Sequence, residues 1–329
     1  MKNKPQKMIV ILGQTSTGKS DFAVEIARKI SGEIISADSR QVYKGMDLGT
    51  GKITKKEMRN IPHYLLDITS PSKIFSVSDF QKLAKKKLEE IISKNKTPII
   101  CGGTGFYIDS IVKGTSFPKV PPNKKLRMQL YPKSAIALFG YLEKLDPVRA
   151  KNIDPKNKVR LIRAREIAKA LGKVPQIQNS PILTQSDTFS AMAENVSLPT
   201  INKQDLAQNK LEVLQIGLTL PPEVLKERIK TRLLTRIKKG MIEEVENLHK
   251  DGISWKRMEA LGLEYRYVSL YLQNKLTKEE MIKKLNTEIW HFAKRQKTWF
   301  KRDQNIIWID PRKNSDKNKA MGKIKKFLK

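Results

Sequence analysis

Residues Leu12 to Ser20 read LGQTSTGKS. The stretch follows the apolar run Met8 to Leu12 and precedes Phe22, Ala23, Ile26, Ala27 and Ile30, which recur at helical spacing. A buried strand therefore runs into a loop of the form Gly13-x4-Gly18-Lys19-Ser20 and then into a helix. Glycines let backbone N–H groups converge on phosphate oxygens, the helix adds the positive end of its dipole, and Lys19 brings a mobile charge. Ser20 offers a hydroxyl to Mg²⁺. Gly13, Gln14, Thr15, Ser16, Thr17, Gly18, Lys19 and Ser20 thus form a candidate cradle for a diphosphate or a nucleotide, ATP included. The loop reads diphosphate geometry and does not choose between them.

Working outward, Glu33 to Ser36 reads as a second short strand ending at Ala37-Asp38, and TPIICGG (Thr97 to Gly103) as another that ends in glycines. Between them Val77 to Lys94 is helical, with Phe80, Leu83, Ala84, Leu88, Ile91 and Ile92 on the apolar positions. Strands alternating with helices predict a P-loop NTPase-like α/β fold: a mostly parallel sheet flanked by helices, with ligands at the carboxyl ends of its strands. Leu211 to Leu220 returns to strand, helices follow from Pro222 to about Arg302, and Asn305 to Asp310 reads as a last strand.

The pattern changes after Gly114. FPKVPP (Phe117 to Pro122) leads into helices, one of them expected to open with Asp154 as N-cap and Pro155 in the first turn and to stop at Gly172. A smaller all-helical insertion at 116–172 is expected within a core made of 1–115 and 205–329. Residues 173–210 hold three lysines and three acids among Ser, Thr, Asn, Gln and Pro, which predicts a long polar surface loop, partly disordered.

Lys and Arg total 65 against 33 acids, a net charge of +32. That excess points to a polyanionic partner, although lysine-rich codon usage alone produces such a bias. The tail from Pro311 to Lys329 carries eight cations and one acid and is expected to add nonspecific RNA affinity. A single cysteine, Cys101, excludes a disulfide framework and a cysteine-based zinc site. No apolar run approaches the ~18 residues of a membrane span, and the basic start feeds straight into the first strand, so a cytoplasmic location is expected; a monomer is expected as well, though no residue pattern decides it. His63, His249 and His291 show no ligand spacing. Trp290 and Trp299 are expected to pack in the core.

SADSRQVYKGMDLGTGK (Ser36 to Lys52) resembles the tRNA dimethylallyltransferase family, enzymes that prenylate an adenine beside the anticodon. HYLLDI (His63 to Ile68), FSVSDF (Phe75 to Phe80), CGGTGFY (Cys101 to Tyr107), RLIRAREI (Arg160 to Ile167), RIKTRL (Arg228 to Leu233) and AKRQKTWF (Ala293 to Phe300) are similar to family blocks in family order. The likeness runs from about residue 8 to 310, without a C-terminal Cys/His finger, as in the bacterial form.

The resemblance implies that dimethylallyl diphosphate occupies the cradle with Mg²⁺ as cofactor. It implies that the dimethylallyl group goes to N6 of adenine 37 in tRNAs reading codons that begin with U, with release of diphosphate. It makes Asp38 the general base, sets Thr104 beside the reacting groups, and sends Arg232 to the diphosphate. On residue chemistry alone other roles stay open: Asp38 as a Mg²⁺ ligand or helix cap, Thr104 as the cap of the next helix, and Arg232 as a solvated cation. Asp38, Ser39, Arg40 and Gln41 match the family segment that meets the tRNA anticodon stem-loop, with Thr104 and Arg127 as further contacts. Arg160 and Arg163, three apart on one helix, share a face that could grip backbone phosphates. Two rivals remain at this point: a small-molecule kinase and a noncatalytic RNA-binding ATPase.

Overall fold

The computed structural model describes residues 5–175 and 211–329. Strand β1 (Gln6–Gly13) enters the phosphate loop and helix α1 (Lys19–Ile30), followed by β2 (Gly32–Ser36), the short α2 (Lys55–Met58), β3 (His63–Tyr64), α3 (Val77–Ser93), β4 (Thr97–Gly102) and α4 (Gly105–Val112). The small helices α5 (Lys124–Leu130), α6 (Ala135–Leu145), α7 (Pro147–Lys151) and α8 (Lys158–Leu171) come next. The chain then continues through β5 (Leu211–Leu218), α9 (Pro222–Lys238), α10 (Met241–Lys250), α11 (Trp255–Leu261), α12 (Leu263–Leu272), α13 (Lys278–Phe300), β6 (Ile307–Ile309) and α14 (Asn314–Leu328).

The six strands form one sheet in the order β3-β2-β4-β1-β5-β6, with every neighbouring pair parallel. Alternate residues of β1 leave the sheet on opposite sides. Met8, Val10 and Leu12 pack with Phe80, Ala84 and Leu88 of α3 and Ile108 and Ile111 of α4. Ile9 and Ile11 pack with Phe22, Ala23 and Ile26 of α1 and with Ala320 and Ile324 of α14. A strand buried on both faces must be apolar throughout, which is why Met8 to Leu12 shows no alternation. The lysine-rich tail is thus a helix with one buried stripe rather than a free basic extension. A third apolar cluster joins Val42, Tyr43 and Met46 to α9 through α13.

The described residues divide into two compact units. The first runs through Gly114 and resumes with β5; the second begins at Thr115 and has its own core of Leu126, Leu130, Leu138, Leu142 and Leu161. Within it α8 starts one turn later than expected. Asn157 is the N-cap, accepting from Arg160 N, while Asp154 accepts from Lys156 N in the turn before. Asp154 and Asn157 are both good caps, and the backbone uses them in succession. Gly172 closes the helix, as expected, with φ 78°. From residue 176 onward the polar segment expected at 173–210 lies outside the described residues. No helix among the described residues is long and apolar enough to cross a membrane.

Candidate active site

β1 delivers the chain into the cradle through Gly13, at φ 140°, where any Cβ would overlap the carbonyl oxygen of Leu218 on β5. Only glycine lets the two strands stay paired while the backbone turns. Thr17 Oγ1 donates to Gln14 O at 2.8 Å, and Lys19 Nζ folds back onto the same carbonyl at 2.6 Å. Burial lowers the Lys19 ammonium to about 8, with Arg232 adding to the fall and Asp38 opposing it. It remains mostly charged at neutral pH. Ser20 sits exposed at the rim, in the first turn of α1.

The turn after β2 is fastened to the end of β4, since Ala37 N donates to Cys101 O and Thr104 N to Ala37 O. Asp38 Oδ1 accepts from Arg40 N at 2.8 Å and from Gln41 N at 3.4 Å. Its Oδ2 has no hydrogen-bond partner among the described residues. Asp38 is therefore aimed by its own turn rather than capping a helix. Thr104 stands at the N-cap position of α4, yet its side chain makes no cap bond. Its Oγ1 instead accepts from Ser39 N at 3.0 Å, so Asp38, Ser39 and Thr104 form one cluster. Gln41 turns inward, with Nε2 donating to Gly51 O at 3.3 Å and Oε1 accepting from Ser36 Oγ at 3.4 Å. Burial lowers the Arg40 guanidinium, with Tyr43 and Asp38 opposing the fall.

Arg232 of α9 donates to the same Gly51 carbonyl at 3.2 Å. The protein packed around its guanidinium, and then Arg236, lower it to about 10, although the residue as a whole is exposed at the cleft mouth; it keeps its charge at neutral pH. Arg236 lies one turn further along, bonded to Gly49 O at 3.3 Å and to Glu264 Oε1 at 3.2 Å. Burial raises the Glu264 carboxyl against the pull of Arg236. Glu244 of α10 accepts from the amides of Asp47, Leu48 and Gly49 at 2.9, 2.6 and 3.0 Å and from the Tyr265 hydroxyl at 2.7 Å. The Asp47–Gly51 loop is thus held by its N–H groups on one side and its carbonyls on the other.

Besides a groove of about 920 Å³ along α9 that takes in Ser16, Gly18, Lys19, Ser20, Arg232 and Arg236, two cavities meet at these residues. One contains the cradle residues Thr15, Lys19 and Ser20 with Asp38, Gln41 and Arg232. The other, about 440 Å³, runs from Asp38 past Arg40 and Thr104 to Phe106, Arg295 and Trp299. Thr15, Asp38, Thr50, Gly103, Phe292 and Gln296 line both. Asp38 therefore stands where the phosphate side opens onto the aromatic side. Trp299, half-buried, packs against the β1–α3–α4 cluster, as expected, and also walls the second cavity, with Nε1 donating to Asp109 Oδ2 and Phe106 edge-on at 6.3 Å. Trp290 packs, half-buried, against the α9–α13 cluster.

In the second unit, Glu166 gathers two of the arginines expected to grip RNA. Arg127 binds its carboxylate through two nitrogens, at 2.7 and 2.8 Å, and Arg163 through one at 3.1 Å while also donating to Val120 O. The Glu166 side chain is 1% exposed, and a carboxylate that deep must be paired. Burial pushes it up, but Arg127, Asn123 N and Arg163 overcome that and hold it low. Arg127 and Arg163 stay 40% and 33% exposed, so part of each still faces solvent, but they do not form a free pair with Arg160. Arg160 is exposed. No group of three or more His, Cys, Asp or Glu that could hold a metal occurs among the described residues.

The strand-loop-helix cradle and the cavity walled by Phe106 and Trp299 meet at one carboxylate, an arrangement with room for two ligands side by side. A family model described as "IPP transferase" matches residues 41–303, and the chain belongs to that family. It is 44% identical over 306 residues to "tRNA dimethylallyltransferase 2" of Treponema denticola, covering 92% of this chain and 95% of the relative. It is 37% identical to "tRNA dimethylallyltransferase" of Anoxybacillus flavithermus over 93% of this chain and 90% of that one. Among solved structures, the tRNA isopentenylpyrophosphate transferase of Bacillus halodurans aligns with TM-score 0.69 at 31% identity, covering 99% and 97% of the two chains. A eukaryotic dimethylallyltransferase captured acting on tRNA shares the fold, with TM-score 0.72 at 24% identity over 97% of this chain and 78% of that one.

Proposed function

We propose that this protein transfers a dimethylallyl group from dimethylallyl diphosphate to N6 of adenine 37 in tRNAs reading codons that begin with U, giving N6-(dimethylallyl)adenosine and releasing diphosphate. The observation that carries the reading is the position of Asp38 at the junction of the cradle and the aromatic cavity. The allylic C–O bond breaks toward the diphosphate as the N6–C bond forms. Negative charge grows on the leaving group, and Lys19, the loop amides and Arg232 are the preorganised cations and donors that meet it. An exocyclic adenine amine is a weak nucleophile until its proton has somewhere to go. Asp38 Oδ2 accepts that proton while Oδ1 stays pinned by the amides of Arg40 and Gln41.

The base must leave its stack to reach this carboxylate, and an anticodon loop extrudes a base more easily than a duplex. Phe106 and Trp299 offer it apolar walls, and Thr104, fixed by Ser39, stands beside it. For Mg²⁺ the donor set is one rim hydroxyl, Ser20, beside a phosphate cradle. That suits an ion taking most of its ligands from diphosphate and water. Ser20 would hold such an ion at the rim, where it would neutralise diphosphate charge. The enzyme is read as a cytoplasmic monomer. The test incubates the protein with Mg²⁺, labelled dimethylallyl diphosphate and unmodified tRNA, and digests the RNA to nucleosides. Label in adenosine is expected; ATP-dependent labelling of a small molecule, or no transfer, would sink the reading.

A further inference from the structure

Helix α13 touches both halves of the site through one buried side chain, Gln296, which lies inside the AKRQKTWF block but to which the sequence assigned no role. Gln296 Oε1 accepts from the cradle amide Thr15 N at 2.7 Å, and its Nε2 donates to Gly103 O at 2.9 Å. The two partners fix the orientation of the amide, because the reverse would set donor against donor and acceptor against acceptor. The residue is 6% exposed, and a Cβ at Gly103 would overlap its nitrogen, so the β4 terminus approaches as closely as glycine permits. One turn earlier on the same face, Ala293 O accepts from Gln14 Nε2 at 3.1 Å, which gives the cradle a second tie to α13.

We propose that Gln296 is a positioning residue that registers the phosphate cradle against the Gly103–Thr104 turn, and with it the leaving group against the accepting nitrogen. The inference rests on the transfer reading above. Thr104 follows Gly103 directly and holds Ser39, next to Asp38, so displacement of Gly103 is passed to the base through two covalent neighbours and one hydrogen bond. The amide also occupies Thr15 N–H, leaving diphosphate binding to the other loop amides and Lys19. Removing Gln296 therefore frees a donor for the diphosphate while uncoupling the two loops. A residue that merely bound substrate would lose affinity instead.

The test compares wild type with Gln296→Met, nearly equal in size and unable to make either bond. Single-turnover transfer under saturating dimethylallyl diphosphate and tRNA is expected to fall by about 30–100-fold, the scale of an ångström of misplacement. Affinities for pyrophosphate and for tRNA should stay within about threefold, pyrophosphate unchanged or tighter. A transfer rate within about threefold of wild type overturns the proposal, as does a fall matched by equal losses in both affinities. Gln296→Glu is the second arm. Its neutral carboxyl can donate to Gly103 O while accepting from Thr15 N, so its rate relative to wild type should climb as pH falls; a flat ratio overturns the proposal. Loss of folding in both variants at the assay temperature, read by circular dichroism, also overturns it. Wild type giving no labelled adenosine counts instead against the transfer reading.

Discussion

Replacing Asp38 by Asn changes one atom of the proton acceptor and little else. The asparagine Oδ1 still accepts from Arg40 N and Gln41 N, the bonds seen at 2.8 and 3.4 Å, so the turn and the tRNA-facing segment are retained. What is lost is the basic oxygen facing the cavity. A positioned general base contributes about 10²–10⁴-fold. At about 1.36 kcal/mol per decade, that is about 2.7–5.4 kcal/mol of barrier. Asp38→Ala loses the same base and also the turn bonds, adding about 1 kcal/mol of local instability. The assay is single-turnover transfer of labelled prenyl group to tRNA with both substrates saturating, alongside tRNA affinity by filter binding. Both variants should lose turnover by the range above while tRNA affinity stays within a few-fold. An Asp38→Asn enzyme that transfers at a tenth of the wild-type rate or faster refutes the base assignment, and a large loss of tRNA affinity moves Asp38 from chemistry to binding.

Other consequences are as specific. Lys19 releases its proton near 8 when folded and near 10.5 when unfolded, so the unfolded chain binds more protons between those values and stability should rise with pH across that window. Pyrophosphate affinity should move the opposite way, weakening as pH passes about 8, and a flat pH profile in isothermal titration removes Lys19 from the cradle. Glu166→Ala leaves Arg127 and Arg163 without their shared carboxylate, and since both guanidinium groups still reach solvent it should cost about 1–3 kcal/mol in hydrogen-exchange protection of α8, with protection in β1 unchanged. Because the Glu166 carboxyl is held low, its contribution is present above the ordinary value of 4.5 and should fade as acid protonates it; protection of α8 insensitive to acid contradicts the pairing. Gly51 sits at φ 61° with the guanidinium tips of Arg232 and Arg236 where a Cβ would go. Gly51→Ala should displace both guanidinium tips and also strain the left-handed backbone by about 1 kcal/mol, weakening pyrophosphate binding while the fold survives; unchanged affinity argues that Arg232 does not reach the diphosphate.

The parts of this molecule legible from sequence are those whose cause is local. The cradle, the strand before it and Asp38 beyond the second strand follow from spacing over a few residues, and the parallel sheet follows from strands alternating with helices. β3 spans only His63 and Tyr64, too short to show a period. Read by charge, the tail hides the helix that Ala320 and Ile324 anchor to the sheet. Arg163 and Glu166 were close enough in sequence, three apart, to suggest a pair, but Arg127 joins them only through the fold. Glu244 and Gln296 lie further from view. One meets its amides 195 to 197 residues away and the other its cradle amide 281 residues away, distances at which no periodicity carries information.

The most direct test is a structure of the protein with a non-reacting dimethylallyl diphosphate analogue and an anticodon stem-loop. The diphosphate should lie in the Gly13–Ser20 loop, with the extruded adenine's amino nitrogen within about 3 Å of Asp38 Oδ2. A nucleoside triphosphate favoured in that loop over the analogue, or an adenine bound with Asp38 facing away from it, would contradict the account.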